Sequence, residues 1–173
     1  MDRIAKFEKV SYEQFEKDWL KNNPQDSQEQ AKEIYDQILL PQRATSGSAG
    51  YDFHAPASFT LEPGSVKLIP TGIRARIKDG WVLMLFPRSS LGFRYRMQLN
   101  NTAGIIDADY YHADNEGHIM VKIINDSRDG RTLSLKAGDG MVQGIFVPFG
   151  ITEDDQTEGI RTGGLGSTDS RRR

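Results

Sequence analysis

Residues 86–92 of this 173-residue chain place a cation and two hydroxyl groups directly after an apolar run. The predicted strand ends at Pro87, and Arg88, Ser89 and Ser90 follow it at once. An arginine offers a planar fork of donors to phosphate oxygens, and serines add short-range donors. These residues indicate either an anion-binding segment or an ordinary turn.

A second segment, AGIIDADYY at residues 103–111, carries two carboxylates beside a predicted strand end. Asp107 follows a glycine and two isoleucines, which favours a place at the rim of a hairpin. A carboxylate held there orients a water molecule or takes its proton. Asp109 is the rival carboxylate, and an acidic turn without a chemical role fits the same pattern.

The segment RTGGLGST, residues 161–168, has three glycines in four positions. Such a run lets backbone N–H groups converge, and Arg161, Ser167 and Thr168 add further donors, a combination that suits a phosphate group. It is not a Walker loop, because no Gly-Lys-Ser/Thr follows. The alternative is a flexible C-terminal linker.

Two further segments, SAGYDF at residues 48–53 and GDGMVQGIF at residues 138–146, place an aspartate near a glycine at a predicted strand edge. Both patterns are typical of turns. Gln143 is less usual because it lies within an apolar strand, where a side-chain amide needs partners or faces a site.

Four possible metal ligands alternate along the chain at His112, Asp114, Glu116 and His118. On a strand they would share one face and could bind a metal ion. Asn115 and Gly117 lie between them and favour a solvated loop instead.

The elements that must position these residues change in character near residue 41. All 17 glycines lie beyond that point, and only one of the seven prolines precedes it. Short apolar runs between turn residues predict strands over Val66–Ile69, Ile73–Ile77, Trp81–Phe86, Ile119–Ile124, Thr132–Leu135 and Met141–Val147. Many short strands at this spacing favour an all-β sandwich or barrel, including a jelly roll.

Residues 1–40 are predicted to form two helices. Ser11 is expected to cap the first, residues 12–22, with Gln14 as its capping-box partner. Asp26 or Ser27 is expected to cap the second, residues 28–40, before Pro41. Each has an apolar stripe that we expect to dock on the main body or on a neighbouring subunit.

Composition excludes several classes of function. The chain has no cysteine, which rules out disulfides, thiolate zinc sites and a thiol nucleophile. With 22 Lys and Arg against 24 Asp and Glu, it lacks the cationic excess of proteins that grip nucleic acid regardless of sequence. It has no apolar run long enough to span a membrane and no leader pattern, so a cytoplasmic location is expected.

Taken in order, SAGYDF, PRSSLG, AGIIDADY, GDGMVQ and RTGGLGST resemble the five motifs of the trimeric dUTPase family. The likeness covers about residues 41–169. It implies a distorted jelly-roll subunit that forms a homotrimer with shared active sites and hydrolyses dUTP to dUMP and pyrophosphate with Mg²⁺. The expected organisation is a helical extension (1–40), a dUTPase-like β domain (41–160) and a mobile C-terminal arm (161–173).

The resemblance also implies roles for individual residues. The catalytic group comprises Asp107, which aims water at the α-phosphorus, together with Arg88 and Gln143 on the phosphates. Asp52 is expected near the water shell of the metal ion. The substrate-binding group comprises Ser89 and Ser90 for phosphate, Asn101 and the backbone from Gly104 through Ile106 for uracil, Tyr110 for deoxyribose, and Arg161, Gly166, Ser167 and Thr168 for the γ-phosphate.

The sequence departs from the family pattern at several positions. Leu165 replaces an aromatic that usually covers uracil, and base–aromatic stacking is worth ~1–3 kcal/mol in nucleic-acid complexes. Asp169 stands where glycine is usual, Gly140 replaces an arginine, and the arm is one residue shorter after Arg161. The link at Tyr111–Gly117 is longer than usual.

Three alternatives remain open at this stage. A dCTP deaminase of the same fold is disfavoured because Lys122 stands where that family is expected to have a glutamate. A nucleotide-sensing relative could use residues 1–40 to bind a partner, with little catalysis. A purely structural jelly roll would not account for the five matching segments.

Overall fold

The structure is a computed structural model that describes residues 2–159, 161 and 163. Within them the chain forms twelve strands, three α-helices and one 3-10 helix. The strands are β1 (Ala5–Lys9), β2 (Gln42–Arg43), β3 (Tyr51–His54), β4 (Phe59–Leu61), β5 (Val66–Pro70), β6 (Ile73–Ile77), β7 (Trp81–Pro87), β8 (Met97–Leu99), β9 (Gly104–Ile106), β10 (Met120–Asn125), β11 (Leu133–Leu135) and β12 (Gly140–Pro148). The helices are α1 (Tyr12–Asn22), α2 (Gln28–Gln37) and α3 (Ser89–Tyr95), with the 3-10 helix at Ala108–His112.

The strands pair antiparallel in four groups, in the orders β1-β6, β5-β10-β8, β4-β11 and β2-β3-β12-β7-β9. This arrangement confirms the all-β prediction. Each of the six predicted strands is present, with β6 at the predicted bounds and the others shifted by one residue at one or both ends.

The five-stranded group carries most of the predicted site residues. Strand β12 lies at its centre and pairs with β3 on one side, where Gln143 faces Asp52, and with β7 on the other. Strand β7 then pairs with β9, with Leu85 opposite Gly104 and Leu83 opposite Ile106. The inward side chains of this group, including Phe53, Leu83 and Leu85, are buried in the core.

The predicted helical segment 1–40 also contains a strand that the sequence reading missed. Strand β1 pairs along its whole length with β6. Its central Phe7 ring lies 5.3 Å from the ring of Tyr51 and 5.5 Å from that of Phe53. The N-terminal residues therefore join the β body directly.

Both predicted helices are present. Ser11 caps α1 and accepts a hydrogen bond from the Gln14 N–H, but the Gln14 side chain donates to Asp18 instead of completing the predicted capping box. Ser27 caps α2 with a complete box that includes Gln30. Helix α2 ends at Gln37, which is earlier than Pro41.

The apolar stripe of α1 docks on the body of the same chain, one of the two expected outcomes. Phe15 and Trp19 are buried, and their rings stack with centroids 5.4 Å apart. None of the helices in the described residues is long and apolar enough to cross a membrane.

Candidate active site

The first, second and fourth segments meet at one end of the five-stranded group. The Arg88 Nε lies 3.2 Å from the Asp52 Oδ1, and an Arg88 terminal nitrogen donates to the Gly140 carbonyl over 3.3 Å. The Gln143 side chain donates to the Pro87 carbonyl over 3.3 Å. Antiparallel pairing of β3, β12 and β7 brings these residues together, so their clustering follows from the strand register.

Arg88 follows β7 and occupies the N-cap position of the short helix α3, where the sequence predicted no helix. Ser89 and Ser90 begin that helix, and both are exposed. A guanidinium and two accessible hydroxyl groups therefore lie side by side at the end of a central strand. This arrangement can bind phosphate oxygens.

In place of the predicted hairpin, the third segment forms a tight turn between β8 and β9 that an isolated bridge between Leu99 and Thr102 closes, and we use the word hairpin for residues 97–106 in that sense. Strand β8 belongs to the β5-β10-β8 group and β9 to the five-stranded group, so the turn at Asn100–Asn101 connects two sheets. The Ala103 N–H donates to the Asn101 carbonyl over 2.8 Å, and Ile105 is 54% exposed. The hairpin presents exposed backbone and one apolar side chain at the sheet edge.

Asp107 follows β9 directly, as predicted, and its side chain is 47% exposed. Arg161 contacts both candidate carboxylates of its own chain, at 2.5 Å from Asp107 and 2.9 Å from Asp109. The Arg161 guanidinium also lies 5.7 Å from the centroid of the Tyr110 ring. In this structure one cation thus neutralises the acidic rim of the hairpin.

Tyr110 is only 6% exposed. Its hydroxyl donates to the His118 carbonyl over 2.8 Å and accepts from the Asn115 side-chain amide over 2.8 Å. Burial raises the pKa of this phenol, and the Asn115 hydrogen bond only partly opposes that effect. The ring is therefore a neutral, fixed wall at the end of the hairpin.

The two groups of site residues lie at opposite ends of β7. Extending the β7–β9 register by one residue puts Asp107 opposite Val82, whereas Arg88 follows the last residue of that strand. Strand residues advance ~3.3 Å each, so Arg88 and Asp107 lie roughly 20 Å apart along the strand. Within one chain they cannot both contact the same phosphate group.

The alternating residues 112–118 do not form a metal site. Among the described residues, no cluster of three or more His, Cys, Asp or Glu is arranged to hold a metal ion. The segment is a loop, as the favoured interpretation had it, but it is not solvated throughout. His118 is fully buried and hydrogen-bonded to Asp18, and Glu116 accepts hydrogen bonds from Ser11.

Sequence reasoning missed the contacts of Asp18 and His118, which are 100 residues apart in the chain. Gly166, Ser167 and Thr168, like Leu165 and Asp169, lie outside the described residues. Their assigned roles stay predictions.

Residues 36–170 match the family model described as dUTPase. A deoxyuridine 5'-triphosphate nucleotidohydrolase of Lactococcus lactis is 41% identical over 134 residues, which cover 76% of this chain and 88% of the relative. The chain belongs to the dUTPase family. The deoxyuridine 5'-triphosphate nucleotidohydrolase of Hahella chejuensis is 38% identical over 145 residues, which cover 79% of this dUTPase-family chain and 91% of the relative.

Solved structures agree with this membership. The dUTPase from Streptococcus mutans superposes with a TM-score of 0.61 at 40% identity, covering 68% of this chain and 91% of that one. The dUTPase of phage phi11 of S. aureus superposes with a TM-score of 0.62 over 91% of this chain and 98% of that one. At 21% identity the phage likeness shows the fold alone. These matches confirm the jelly-roll prediction, and membership confirms that the chain is an enzyme.

Proposed function

We propose that this chain hydrolyses dUTP to dUMP and pyrophosphate, an activity that removes dUTP from the nucleotide pool and supplies the precursor of dTMP. The observation that carries the proposal is the grouping of family-matched residues at two ends of one sheet. Asp52, Arg88 and Gln143 lie at one end, and Asp107 and Tyr110 at the other.

In the proposed reaction Asp107 aims a water molecule at the α-phosphorus and accepts its proton. The water oxygen forms a bond to phosphorus while the bond to the bridging oxygen of the β-phosphate breaks, and pyrophosphate leaves. Asp107 is suited to this role because its carboxylate is half-exposed at a strand end. Arg161 must leave Asp107 for the water to take its place, and its cation is then free to contact the γ-phosphate.

Arg88, Ser89, Ser90 and Gln143 are proposed to hold the triphosphate, with Gln143 on the α-phosphate. Hydrolysis of this kind depends on positioning and on neutralising charge on the phosphate oxygens. The arm residues Arg161, Gly166, Ser167 and Thr168 would then close over the γ-phosphate.

The hairpin is proposed to read the base and the sugar. Asn101 and the backbone of Gly104–Ile106 offer donors and acceptors to the edge of uracil, and a wrong base would leave a polar group unpaired. The Tyr110 ring would pack against deoxyribose and leave no space for a 2′-hydroxyl group. Because its phenol is anchored at the far end, the ring is well placed for steric selection.

A homotrimer with shared sites is supported by the separation along β7. Asp107 and Gln143 are both assigned to the α-phosphate, yet Gln143 pairs with Phe86 while Asp107 lies beside Val82. The intervening strand length is roughly 13 Å, and the Gln143 amide donates to the Pro87 carbonyl, away from the Asp107 end of β7. A second chain that supplies Arg88 and Gln143 to the Asp107 of the first resolves this conflict.

Magnesium is the proposed cofactor, and the residues present fit an ion that is held mainly by substrate phosphates and water. No cage of three or more ligating side chains occurs in the described part of the chain. Mg²⁺ commonly takes its ligands from substrate phosphates and water, where it neutralises oxygen charge. Asp52, whose carboxylate also contacts Arg88, would hold a water molecule of its shell.

Comparing Asp107→Asn with Asp109→Asn tests the proposal. We expect Asp107→Asn to lower kcat for dUTP by about 10²–10⁴-fold, the usual contribution of a general base, while nucleotide binding persists. Asp109→Asn, which removes the rival carboxylate, should retain most of its turnover. A nearly unchanged kcat for Asp107→Asn would remove that residue from the mechanism.

Pyrophosphate release from dUTP, dCTP, dTTP and UTP, measured side by side, tests the substrate. The proposal expects release from dUTP only and no deamination of dCTP. Formation of a uracil nucleotide from dCTP would favour the deaminase, and tight dUTP binding without turnover would favour the sensor.

A further inference from the structure

The residues that precede the family match are attached to the segment that follows Tyr110. We call Tyr111–His118 the post-tyrosine loop, and it includes the stretch that is longer than the usual family link. Within the described part of the chain, three side chains from residues before position 36, where the family match begins, form hydrogen bonds with side chains of this loop: Glu8, Ser11 and Asp18. We call these three residues the N-terminal brace.

The contact between Asp18 and His118 is the most buried of the three. His118 is fully buried, and its Nδ1 lies 2.6 Å from the Asp18 Oδ2. The Gly72 N–H donates to the other ring nitrogen over 2.8 Å, so that nitrogen carries no proton and Nδ1–H is the donor to Asp18. Burial of Asp18 would raise its pKa, but hydrogen bonds from His118 and Gln14 lower it overall.

The other two contacts hold the middle and the start of the loop. The Ser11 N–H and hydroxyl both donate to the Glu116 carboxylate, over 2.7 and 2.6 Å. The Tyr111 hydroxyl donates to Glu8 over 2.5 Å, while the Arg74 guanidinium lies 4.4 Å from the Tyr111 ring centroid. Each end of the loop is thus tied to a different part of residues 5–22.

The loop in turn fixes the tip of Tyr110. The phenol donates to the carbonyl of His118, the same residue whose ring Asp18 holds, and it accepts from Asn115. Gly117 lets the chain return this closely, because a Cβ there would lie 2.7 Å from the Tyr110 carbonyl oxygen. Its φ of +70° is also a conformation that favours glycine.

We propose that the N-terminal brace positions Tyr110 and thereby contributes to discrimination between deoxyribose and ribose. The inference rests on the proposed function, in which this ring excludes a 2′-hydroxyl group. Steric exclusion requires a wall that does not move. Glu8, Ser11 and Asp18 are positioning residues that act on the nucleotide through His118, Glu116, Tyr111 and the Tyr110 hydroxyl.

Asp18→Ala tests the inference, with the ratio of kcat/KM for dUTP to kcat/KM for UTP as the readout. A loss of folded protein lowers both values equally and leaves this ratio unchanged, so a merely structural role does not move it. We expect the ratio to fall by about three- to tenfold, the range that corresponds to one hydrogen bond. The matched control Asp36→Ala removes an exposed acid from α2 and should leave the ratio unchanged.

Tyr110→Phe keeps the ring but removes its anchor, and it should lower the ratio in the same way. If Asp18 acts through that anchor, the two losses should not add. The double variant with Asp18→Ala and Tyr110→Phe should then have the same ratio as whichever single variant has the lower ratio. Additive losses would contradict the proposed route through the phenol.

Tyr110→Ala separates failure of the inference from failure of the proposed function. If Tyr110→Ala lowers the ratio but Asp18→Ala does not, the brace proposal is wrong and the role of Tyr110 stands. If Tyr110→Ala leaves the ratio unchanged, both are wrong. Should Asp18→Ala prove insoluble, Ser11→Ala removes a more exposed contact, and an unchanged ratio in that variant overturns the proposal.

Discussion

Gly140 illustrates at the residue scale how a departure from the family pattern is accommodated. The Arg88 guanidinium lies against the backbone of Gly140, where a Cβ would be 2.1 Å from one of its terminal nitrogens. No larger side chain fits at position 140 while Arg88 keeps this place. The glycine at position 140 therefore leaves space for the arginine that the second segment supplies.

Gly140→Ala is expected to displace the Arg88 guanidinium and lower kcat/KM for dUTP by about tenfold, the order expected for weakening one charge-assisted hydrogen bond. Arg88 is flexible at its far end, so the free energy of unfolding should change by only about 0.5 kcal/mol or less. Steady-state kinetics and urea unfolding measure the two effects. Gly150→Ala is the control, since a Cβ there meets nothing within 4 Å. Equal activities of the two variants would contradict this account of Gly140.

The sequence correctly indicated how individual residues are placed relative to the strands. Asp107 is at the strand end that its neighbours indicated, and Gln143 has a partner for its amide, as a polar residue in an apolar strand requires. The Asp18–His118 pair could not be predicted in the same way, because no local spacing reveals a contact across 100 residues. The alternation around His118 was a visible signal, but it suggested a solvated loop or, as the less favoured alternative, a metal site, and neither indicates a contact with Asp18.

At the scale of elements, β1 shows what local patterns miss. Its sequence AKFEK contains one large apolar residue, and its stability comes from pairing with β6, some 70 positions further on. By contrast, α1 and β6 carry their own signals, a capping serine and a strict alternation of apolar and polar residues, and both were predicted at their observed bounds. Pairing over a long sequence separation left no local signal for β1.

The acid stability of β1 depends on Glu8. Hydrogen bonds from Lys6 and Tyr111 lower the pKa of Glu8 from 4.5 to about 2, against the effect of burial. A depressed pKa means that the ionised group stabilises the fold fully above its unfolded pKa, and that this contribution is lost as the pH falls through the folded value.

Glu8→Gln should therefore lower Tm at neutral pH, and the difference in Tm from the unsubstituted protein should shrink as the pH falls from about 4.5 towards 2. Thermal unfolding followed by circular dichroism across that range measures it. The exposed Glu33 on α2 provides a control through Glu33→Gln. A difference in Tm that stays constant down to pH 2 would contradict the assigned role of the ionised Glu8.

At the scale of the whole molecule, the fold keeps the two groups of proposed site residues apart within one chain. Strand β7 separates the phosphate-binding end from the hairpin end, and its length exceeds the reach of any side chain. The order of motifs in the sequence indicated a shared site only through the family resemblance. The pairing registers give a physical reason to expect a shared site, since they place Arg88 and Asp107 near opposite ends of β7.

The most direct test of a shared site is complementation between two inactive chains. Asp107→Asn and Arg88→Ala are each expected to abolish most dUTP hydrolysis. When they are denatured together and refolded as an equimolar mixture, some sites of a cyclic trimer receive Asp107 from one chain and Arg88 from the other. In an equimolar random mixture each of the two chains that form a site has an even chance of carrying the residue it must supply. About a quarter of the sites therefore have both residues, and we expect about a quarter of the activity of the unsubstituted protein. Activity that stays at the level of the two separate variants, in mixed assemblies verified by mass, would contradict a site built from more than one chain.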